Sequence, residues 1–367
     1  MIVHVIDDLL PESGGPTTVV IETACAQAEH ESVTVLCSEC PDSDRDPGTM
    51  RLRQAGVRVV VIPRRAQRRA LREQISLLRP RIVHIHCIWE SLLRRAGSTA
   101  RALGIPYAIS AHGMMHPYSL AQGSLKKRMY LTLFRAHFIG AGLHLALNSE
   151  EAANIAHLFG RPVEVLQNGV AVPSRRRTDG AALRASIPAL GSRRYILFLG
   201  RLHPIKGVDL LLRSYAQAVA SGCDADLVIA GPDEGSRGDL VRLAGELGLA
   251  ARVHFPGGLF GDAKWDALEG CALFAHRPRY EGFGISVIEA LATGAPVVIT
   301  ERCLIDGIRD GGRVHLAPDD DSGFARRLLE ALARGGDSAI ASGFEIPTWT
   351  AIATRLVGLY RIAGAAE

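Results

Sequence analysis

The stretch ALFAHRPRYEGFGISVIEALATGAP, residues 272–296, combines the two patterns that define the fold of this chain. A short apolar run at 272–276 is typical of a buried strand, and the apolar run after Gly284 is typical of a helix. Gly294 and Pro296 are helix-stop signals at its end. A strand that leads through a glycine-containing loop into a helix is the repeating unit of α/β proteins.

The same alternation of β-branched runs and helical patterns extends over the rest of the chain. The first half predicts strands near 2–6, 33–37, 57–62, 82–86, 106–110, 142–147 and 163–166, and helices at 16–29, 66–78, 90–102, 119–138 and 149–158. The second half predicts strands near 195–200, 226–230, 252–255, 272–276, 297–300 and 313–316. We therefore predict an α/β fold of two Rossmann-like, doubly wound domains.

A polar, basic stretch at 173–180 separates the two series and is the best linker candidate. It places an N-terminal domain at 1–175 and a C-terminal domain at 176–345. Ligands of such folds bind at the carboxyl ends of the strands. We therefore expect the binding site in a cleft where the two domains face each other.

The composition is that of a globular protein, with 47% apolar and 22% charged residues in 367. No apolar run reaches the roughly 18 residues of a membrane span, and the N-terminus lacks the basic region of a signal peptide. Among seven cysteines, Cys37 and Cys40 form a C-x2-C pair without a second pair. We expect no zinc site and a reducing, cytoplasmic location.

Positive charge is concentrated in the first half of the chain. Residues 51–135 contain 17 Lys and Arg but only two acidic residues, which indicates an anionic partner or surface. Two segments, 64–72 and 126–135, mix these cations with apolar residues. They fit either peripheral binding to an anionic membrane or ordinary solvated helices, and the sequence leaves both open.

The 272–296 stretch also contains the strongest functional pattern. Glu281 and Glu289 lie on either side of Gly282, Gly284 and the helix start. The glycines allow a ligand to approach the backbone, and the free N–H groups of the first helical turn attract a phosphate. Carboxylates on both sides of a phosphate site suit a nucleotide sugar, although each glutamate alone could simply complement the helix dipole.

A second cationic loop follows the predicted strand at 195–200. Arg201 and Lys206 lie in the segment 200–207, directly before the next helix. A guanidinium and an ammonium at a strand end can neutralise a diphosphate. The alternative is two solvated cations in a surface loop.

Two further positions lie at strand ends of the first domain. Gly14 and Gly15 allow close approach of a ligand, and Pro16 suits the first turn of the helix that follows. His112 ends the strand near 106–110, where a side chain faces the site rather than the core. The alternating His84 and His86, in the strand near 82–86, are expected to be structural.

Acidic clusters do not predict a metal site. Asp42, Asp44 and Asp46 alternate in a polar loop, but no glycine turn or distal carboxylate completes a calcium loop. We interpret them as solvated. The run 319–321 of three aspartates is interpreted as the cap and dipole partner of a helix start.

Together these motifs resemble the retaining glycosyltransferases of family 4, which have the two-domain B-type fold. The resemblance covers almost the whole chain and rests on the motifs at 13–16, 83–89, 112–114, 167–170, 200–207, 229–232, 253–257 and 281–289. Trp349, Ile352 and Tyr360 look like the family's last helix, which implies that 346–367 returns to the first domain.

The resemblance implies a role for each motif residue. Arg201 and Lys206 would bind the donor diphosphate, Glu281 the hydroxyls of the transferred sugar, and His112 the sugar near its reacting face. These four form the implied catalytic group. The implied donor-binding group adds Gly14, Gly15, Gly282, Phe283, Gly284, Ile285, Ser286 and Glu289, the last of them to the ribose.

The implied activity is transfer of a hexose from a UDP- or GDP-linked donor to a hydroxyl, without metal or cofactor. The acceptor would be a glycan or a lipid-linked sugar, as in surface-polysaccharide assembly, or a soluble small molecule. A nucleotide-sugar-binding homologue with a regulatory role is the alternative outside enzymology. Epimerase and dinucleotide-binding signatures are absent from the sequence, and no reading motif supports nucleic-acid binding.

The chain departs from the family pattern in two places. Residues 276–280, HRPRY, replace a more usual Pro-Ser pair, and residues 301–306 replace a small-residue stretch. Arg277 and Arg279 could contact the donor or be exposed. Both departures leave the identity of the donor sugar open.

Overall fold

The computed structural model of the chain describes residues 1–10, 13–41, 46–171, 178–334 and 344–365. It divides into two compact units. Unit 1 comprises Met1–Gly169 with Pro347–Glu367, and unit 2 comprises Val170–Ile346. Most of the predicted linker lies outside the described residues. No helix within the described ranges has the length and apolar character needed to cross a membrane.

Unit 1 is built on a sheet of seven parallel strands in the order β3-β2-β1-β4-β5-β6-β7. Its strands are β1 Ile2–Val5, β2 Val33–Cys37, β3 Arg58–Val61, β4 Ile82–His86, β5 Tyr107–Ser110, β6 Leu143–Ala146 and β7 Val163–Val165. Its helices are α1 Gly15–Ala28, α2 Pro47–Gln54, α3 Gln67–Leu78, α4 Ser91–Ala102, α5 Pro117–Ala121, α6 Ser124–Leu133, α7 Arg135–Ile139, α8 Ser149–Phe159 and α15 Trp349–Ala365.

Unit 2 is built on six parallel strands in the order β10-β9-β8-β11-β12-β13. Its strands are β8 Tyr195–Leu199, β9 Asp226–Ala230, β10 Val253–Gly257, β11 Leu273–His276, β12 Val297–Thr300 and β13 Val314–Ala317. Its helices are α9 Ala181–Ser186, α10 Val208–Ala220, α11 Arg237–Glu246, α12 Gly261–Gly270, α13 Ile285–Thr293 and α14 Asp321–Arg334.

Both sheets share one topology, which confirms the predicted pair of Rossmann-like domains. In each sheet the first strand of the series pairs with the second and the fourth, so the strand order reverses between the first and fourth strands. Ligands of doubly wound folds bind at this point, outside the carboxyl ends of the strands. The last helix, α15, belongs to unit 1, where it packs against α1 and buries Tyr360.

Two local predictions were wrong. The single helix predicted at 119–138 is three short helices. Gly123, in a left-handed conformation with φ of 67°, separates α5 from α6, and Phe134, with φ of −106° and ψ of 19°, separates α6 from α7. Asp46, interpreted as solvated, is buried and caps α2, where its Oδ2 accepts a hydrogen bond of 2.7 Å from the Thr49 N–H. Asp42 and Asp44 lie outside the described residues.

Candidate functional site

The predicted phosphate-binding residues of unit 2 follow two neighbouring strands. β8 leads into the loop that carries Arg201 and Lys206, and β11 leads into the loop that carries Glu281. β8 and β11 are paired in the sheet. Because both strands are parallel, their following loops emerge at the same edge.

Lys206 and Glu281 meet there in a salt bridge. The Lys206 Nζ lies 2.5 Å from the Glu281 Oε2, and the His276 Nε2 lies 3.1 Å from the same oxygen. Burial by itself raises the pKa of Glu281, but the attraction of Lys206 and the hydrogen bond from His276 outweigh it and hold that pKa well below its usual range. Burial lowers the pKa of His276, so its neutral ring donates Nε2–H to the carboxylate.

A close backbone contact positions Lys206. Lys206 ends a 3-10 turn at Pro204–Lys206, and Gly207 follows in a left-handed conformation with φ of 63°. A Cβ at Gly207 would collide with the carbonyl oxygen of Arg277. Only glycine therefore lets the lysine loop lie against the segment that follows β11.

The second departure from the family pattern, at 301–306, holds the backbone of Glu281. The Glu281 N–H donates to the Arg302 carbonyl at 3.0 Å, and its carbonyl accepts from the Leu304 N–H at 3.0 Å. Short bridges of this kind fix the main chain on both sides of a side chain. Residues 301–306 therefore hold the main chain of Glu281 through backbone hydrogen bonds.

The glycines of the 272–296 stretch shape both ends of α13. Gly284, with φ of 72°, precedes the helix, and Gly294, with φ of 92°, follows it, which confirms the predicted stop signal. Phe283 is 2% exposed and belongs to the buried core, so the contact of its backbone with a ligand stays a prediction. The first turn, with Ile285 and Ser286, has N–H groups without intrahelical acceptors.

Two ion pairs at the site were not predicted from the sequence. The Lys264 Nζ lies 2.5 Å from the Glu289 Oε1, and the Arg201 Nη1 lies 2.5 Å from the Glu234 Oε1. Neither partner has a sequence spacing that relates it to the motif residues. His276 was also missed as a partner of Glu281, although it lies only five residues away within the quoted stretch.

The two arginines of the first departure have structural partners. Arg277 is 4% exposed and binds the Asp321 carboxylate, the Ser214 hydroxyl and the Leu210 carbonyl. Arg279 makes a bidentate pair with Asp209, with both distances 2.7 Å. Arg277 is therefore neither exposed nor placed like a ligand-binding residue.

The remaining predicted site residues lie in unit 1. Gly14 has φ of 85° and precedes α1, with Pro16 in the first turn as predicted, and a Cβ at Gly15 would meet open space. His112 follows β5 in a left-handed conformation with φ of 52°, which is uncommon for a residue with a side chain. Its ring is partly exposed and lines a small cavity.

His112 belongs to a group of histidines in unit 1. The His112 Nε2 lies 3.0 Å from the His86 Nδ1, and the His86 Nε2 lies 2.8 Å from the His4 Nδ1. His84 and His86 are buried as expected. The ligand atoms of His4, His84 and His86 lie within 4.8 Å of one another, so the expectation of no metal site stays a prediction.

Each of the two units matches a known family model. Residues 14–169 match the family model described as "Glycosyl transferase 4-like domain", and residues 181–339 match the one described as "Glycosyl transferases group 1". The matched ranges include every predicted site residue and every strand of the two sheets except β1.

Curated relatives include the D-inositol 3-phosphate glycosyltransferase of Rhodococcus jostii, 30% identical over 230 residues, which are 59% of this chain and 50% of the relative. The enzyme of the same name from Mycolicibacterium paratuberculosis is 29% identical over 274 residues, 71% of this chain and 60% of the relative. The chain spans about half the length of the curated relatives it matches.

Similar solved structures include HepE of Anabaena in complex with UDP and glucose, with a TM-score of 0.73 and 19% identity over 100% of this chain and 98% of the other. WaaG, a glycosyltransferase involved in lipopolysaccharide biosynthesis, has a TM-score of 0.66 and 16% identity, with the same coverage. At these identities the likeness concerns the fold.

Proposed function

The chain belongs to glycosyltransferase family 4, and from this premise we propose that it transfers a hexose from a nucleotide-diphosphate sugar to a hydroxyl acceptor with retention of anomeric configuration. The observation that carries the proposal is the Lys206–Glu281–His276 group beside the N-terminus of α13. At the carboxyl edge of the sheet, it combines an ammonium and a carboxylate that fix each other's position with backbone N–H groups that have no intrahelical acceptor.

The charges that develop during the reaction explain why a cation and a carboxylate would both be needed at this site. As the bond between the anomeric carbon and the diphosphate breaks, negative charge grows on the phosphate and positive charge on the sugar. Lys206, Arg201 and the first turn of α13 stabilise the phosphate, while Glu281 binds sugar hydroxyls. The acceptor oxygen bonds to the anomeric carbon, and its proton passes to the leaving phosphate.

The ion pairs hold this arrangement before the donor arrives. Lys206 and Arg201 each contact a carboxylate, so their positions are set without ligand and less conformational entropy is lost on binding. Glu289, 7% exposed and held by Lys264, is assigned to the ribose. This placement suits a base and ribose beyond the diphosphate.

The choice of donor is tested with purified protein and a panel of UDP-, GDP- and ADP-sugars. UDP-glucose is the first candidate, because HepE was crystallised with UDP and glucose. We expect thermal stabilisation and slow donor hydrolysis with one base, and a product with the donor's anomeric configuration by NMR. No stabilisation and no hydrolysis with any donor would refute the transferase proposal, and an inverted product would refute retention.

Two acceptor classes have specific support. The curated relatives are named for D-inositol 3-phosphate, which favours a phosphorylated cyclic polyol. The cations of residues 51–135 would suit its phosphate and equally a lipid-linked diphosphate sugar. Transfer assays with both acceptors, at equal donor concentration, separate the two.

Helix α6 supports binding to an anionic membrane. Leu125, Met129 and Leu133 are 80%, 66% and 71% exposed and are spaced by four residues, so they form one apolar stripe. The cations Lys126 and Arg128 lie beside it and are exposed, which is the pattern of an interfacial helix. Arg64, on the other basic segment, already pairs with Asp7 and Glu39.

Co-sedimentation with vesicles containing phosphatidylserine tests this surface. Replacing Leu125, Met129 and Leu133 by serine should reduce binding at least about tenfold, since each apolar side chain contributes on the order of 1 kcal/mol in the interface. Leu77→Ser, at a 69% exposed leucine of α3, is the matched control. Equal binding by the triple variant and the control would exclude α6.

A further inference from the structure

A continuous hydrogen-bonded chain runs from His112 into the interior of unit 1. His112 contacts His86 at 3.0 Å, His86 contacts His4 at 2.8 Å, and His4 Nε2 contacts the Gln27 Oε1 at 2.7 Å. His4, His86 and Gln27 are each at most 1% exposed. Both ring nitrogens of His4 and of His86 are used in the chain.

These rings are neutral near pH 7. Burial lowers the pKa of His4 and of His112 to about 4, and it lowers that of His86 well below the usual range. A neutral imidazole has one N–H donor and one bare nitrogen that accepts. Each inner histidine therefore donates on one side and accepts on the other, so all bonds in the chain must point in the same direction.

Gln27 sets that direction. Its carbonyl oxygen faces His4 and can only accept, so His4 donates from Nε2 and accepts at Nδ1. His86 must then donate from Nε2 and accept at Nδ1, and His112 must donate from Nε2. The remaining nitrogen of His112, Nδ1, carries a lone pair.

We propose that Gln27, His4 and His86 are positioning residues that hold His112 in the Nε2–H form, so that its Nδ1 is a neutral hydrogen-bond acceptor for a ligand hydroxyl. A neutral acceptor binds an O–H donor and disfavours a phosphate or carboxylate oxygen. The identity of that hydroxyl, on the transferred sugar or the acceptor, rests on the proposed function.

The fold places His112 for this role at some conformational cost. The left-handed backbone at His112 is disfavoured for a residue with a Cβ, and such conformations concentrate at functional sites. The ring also lines the small cavity beside Gln167 and Asn168. The backbone sets the position of the His112 ring, and the hydrogen-bonded chain from Gln27 fixes its tautomer.

The same contacts disfavour a metal at His4, His84 and His86. The hydrogen bond between His4 Nδ1 and His86 Nε2 places a proton between these two nitrogens. A metal would need both nitrogens without a proton. His84 has its own partners, the Tyr360 hydroxyl at 2.6 Å and the Ser110 hydroxyl at 2.8 Å. One equivalent of tightly held metal in the purified protein would overturn the proposal.

Nitrogen NMR of the full chain, labelled with 15N-histidine, tests the tautomer directly. Two-bond 1H–15N correlations distinguish the protonated ring nitrogen from the bare one, and the His112 signals are assigned by their loss in His112→Gln. We expect Nε2–H at pH 7, and a mixture of tautomers in Gln27→Met. A proton on Nδ1 of His112 in the unmodified protein would overturn the proposal, whatever the enzyme's substrate.

Kinetics with the identified donor provide the second readout. Gln27→Met should lower kcat/KM about five- to tenfold, the effect of one misplaced neutral hydrogen bond, and Gln27→Glu, which keeps an accepting oxygen, should recover most of it. Thr23→Val is the control, because this buried hydroxyl on α1 has no hydrogen-bond partner among the described residues. Unchanged tautomer and kcat/KM in folded Gln27→Met would refute the role of Gln27.

Discussion

Two histidines end equivalent strands of the two units, yet one has neutral hydrogen-bond partners and the other a charged one. His86 is the last residue of β4 and His276 the last residue of β11, and both strands pair with the first strand of their own sheet. Each side chain is 1% exposed. His86 is hydrogen-bonded to two imidazoles, whereas His276 is hydrogen-bonded to the Glu281 carboxylate.

The difference shows how one topology supports two kinds of polar site. In unit 1 burial keeps the connected rings neutral, so the site presents hydrogen bonds without charge. In unit 2 Lys206 lies beside the carboxylate and stabilises its charged form, so the site keeps both charges. A neutral face suits hydroxyls, and a charged face suits a diphosphate.

The largest expected effect is at the charged face of unit 2, around Lys206 and Glu281. Lys206→Ala should lower kcat at least about 100-fold, because it removes the cation that we propose stabilises the leaving diphosphate. Donor turnover measures it, with Arg242→Ala as the control, since this 65% exposed arginine of the same unit pairs with Asp239 and Glu246 on its own helix, α11. Near-normal turnover in Lys206→Ala would remove the proposed role of the charged face.

Glu289→Ala should also lower activity at least about 100-fold, but with a different signature. Because Glu289 is assigned to the ribose, we expect the loss to be smaller for a donor without the ribose hydroxyls. Deoxyribose analogues of the donor measure this difference. An equal loss with both donors would contradict the assignment.

Arg277→Met tests whether charge in unit 2 also stabilises the fold. Removing this buried guanidinium leaves Asp321, one third exposed, without its partner, and should lower the free energy of unfolding by about 2 kcal/mol. Urea unfolding measures it. Arg302→Ala, at a 56% exposed arginine paired with Asp319, should cost less than about 1 kcal/mol; equal losses would contradict the distinction.

Acid should weaken unit 1 before unit 2. Burial lowers the pKa of six histidines in unit 1 but of two in unit 2. Below the ordinary pKa of 6.5 and above the lowered values, which are about 4 for His4, His112, His137 and His144, the unfolded chain binds more protons, so stability falls as pH falls. The slope is about 1.4 kcal/mol per pH unit for each histidine.

Glu281 has an effect of the same sign, but at lower pH, so it adds little pH dependence in this range. Its lowered pKa stabilises unit 2 above the ordinary glutamate pKa, and that contribution is lost only as pH falls towards the lowered value. Hydrogen exchange at pH 7 and pH 5.5, corrected for intrinsic rates, resolves the two units. Earlier loosening of unit 2 would contradict the comparison.

Arg279→Ala should have the smallest effect. Its pair with Asp209 is about one third exposed on both sides, so its loss should cost less than about 1 kcal/mol. We expect donor affinity to change less than about twofold, because the guanidinium of Arg279 is paired with Asp209 at the start of α10. A larger loss of donor affinity, measured by titration, would place Arg279 in the donor site.

Local patterns in the sequence were sufficient to predict the two sheets and the polar residues at their edges. Strand and helix periodicity, together with glycines such as Gly284 and Gly294, depend on the backbone within a few residues. For the same reason, the spacing of Glu281 and Glu289 around the start of α13 could be read directly. The prediction of one long helix at 119–138 was wrong because the apolar periodicity continued across Gly123 and Phe134, where the backbone leaves the helical conformation.

Only the tertiary structure decided which polar groups meet. Lys206 and Glu281 are 75 residues apart, and Lys264 and Glu289 are 25 apart, so their pairing depends on which strands are neighbours. The histidine chain joins α1, β1, β4 and the loop after β5, and the buried pair of Arg277 depends on Asp321 at the start of α14. Sequence periodicity reports which face of an element is buried, whereas the partner on that face is chosen by packing between distant segments.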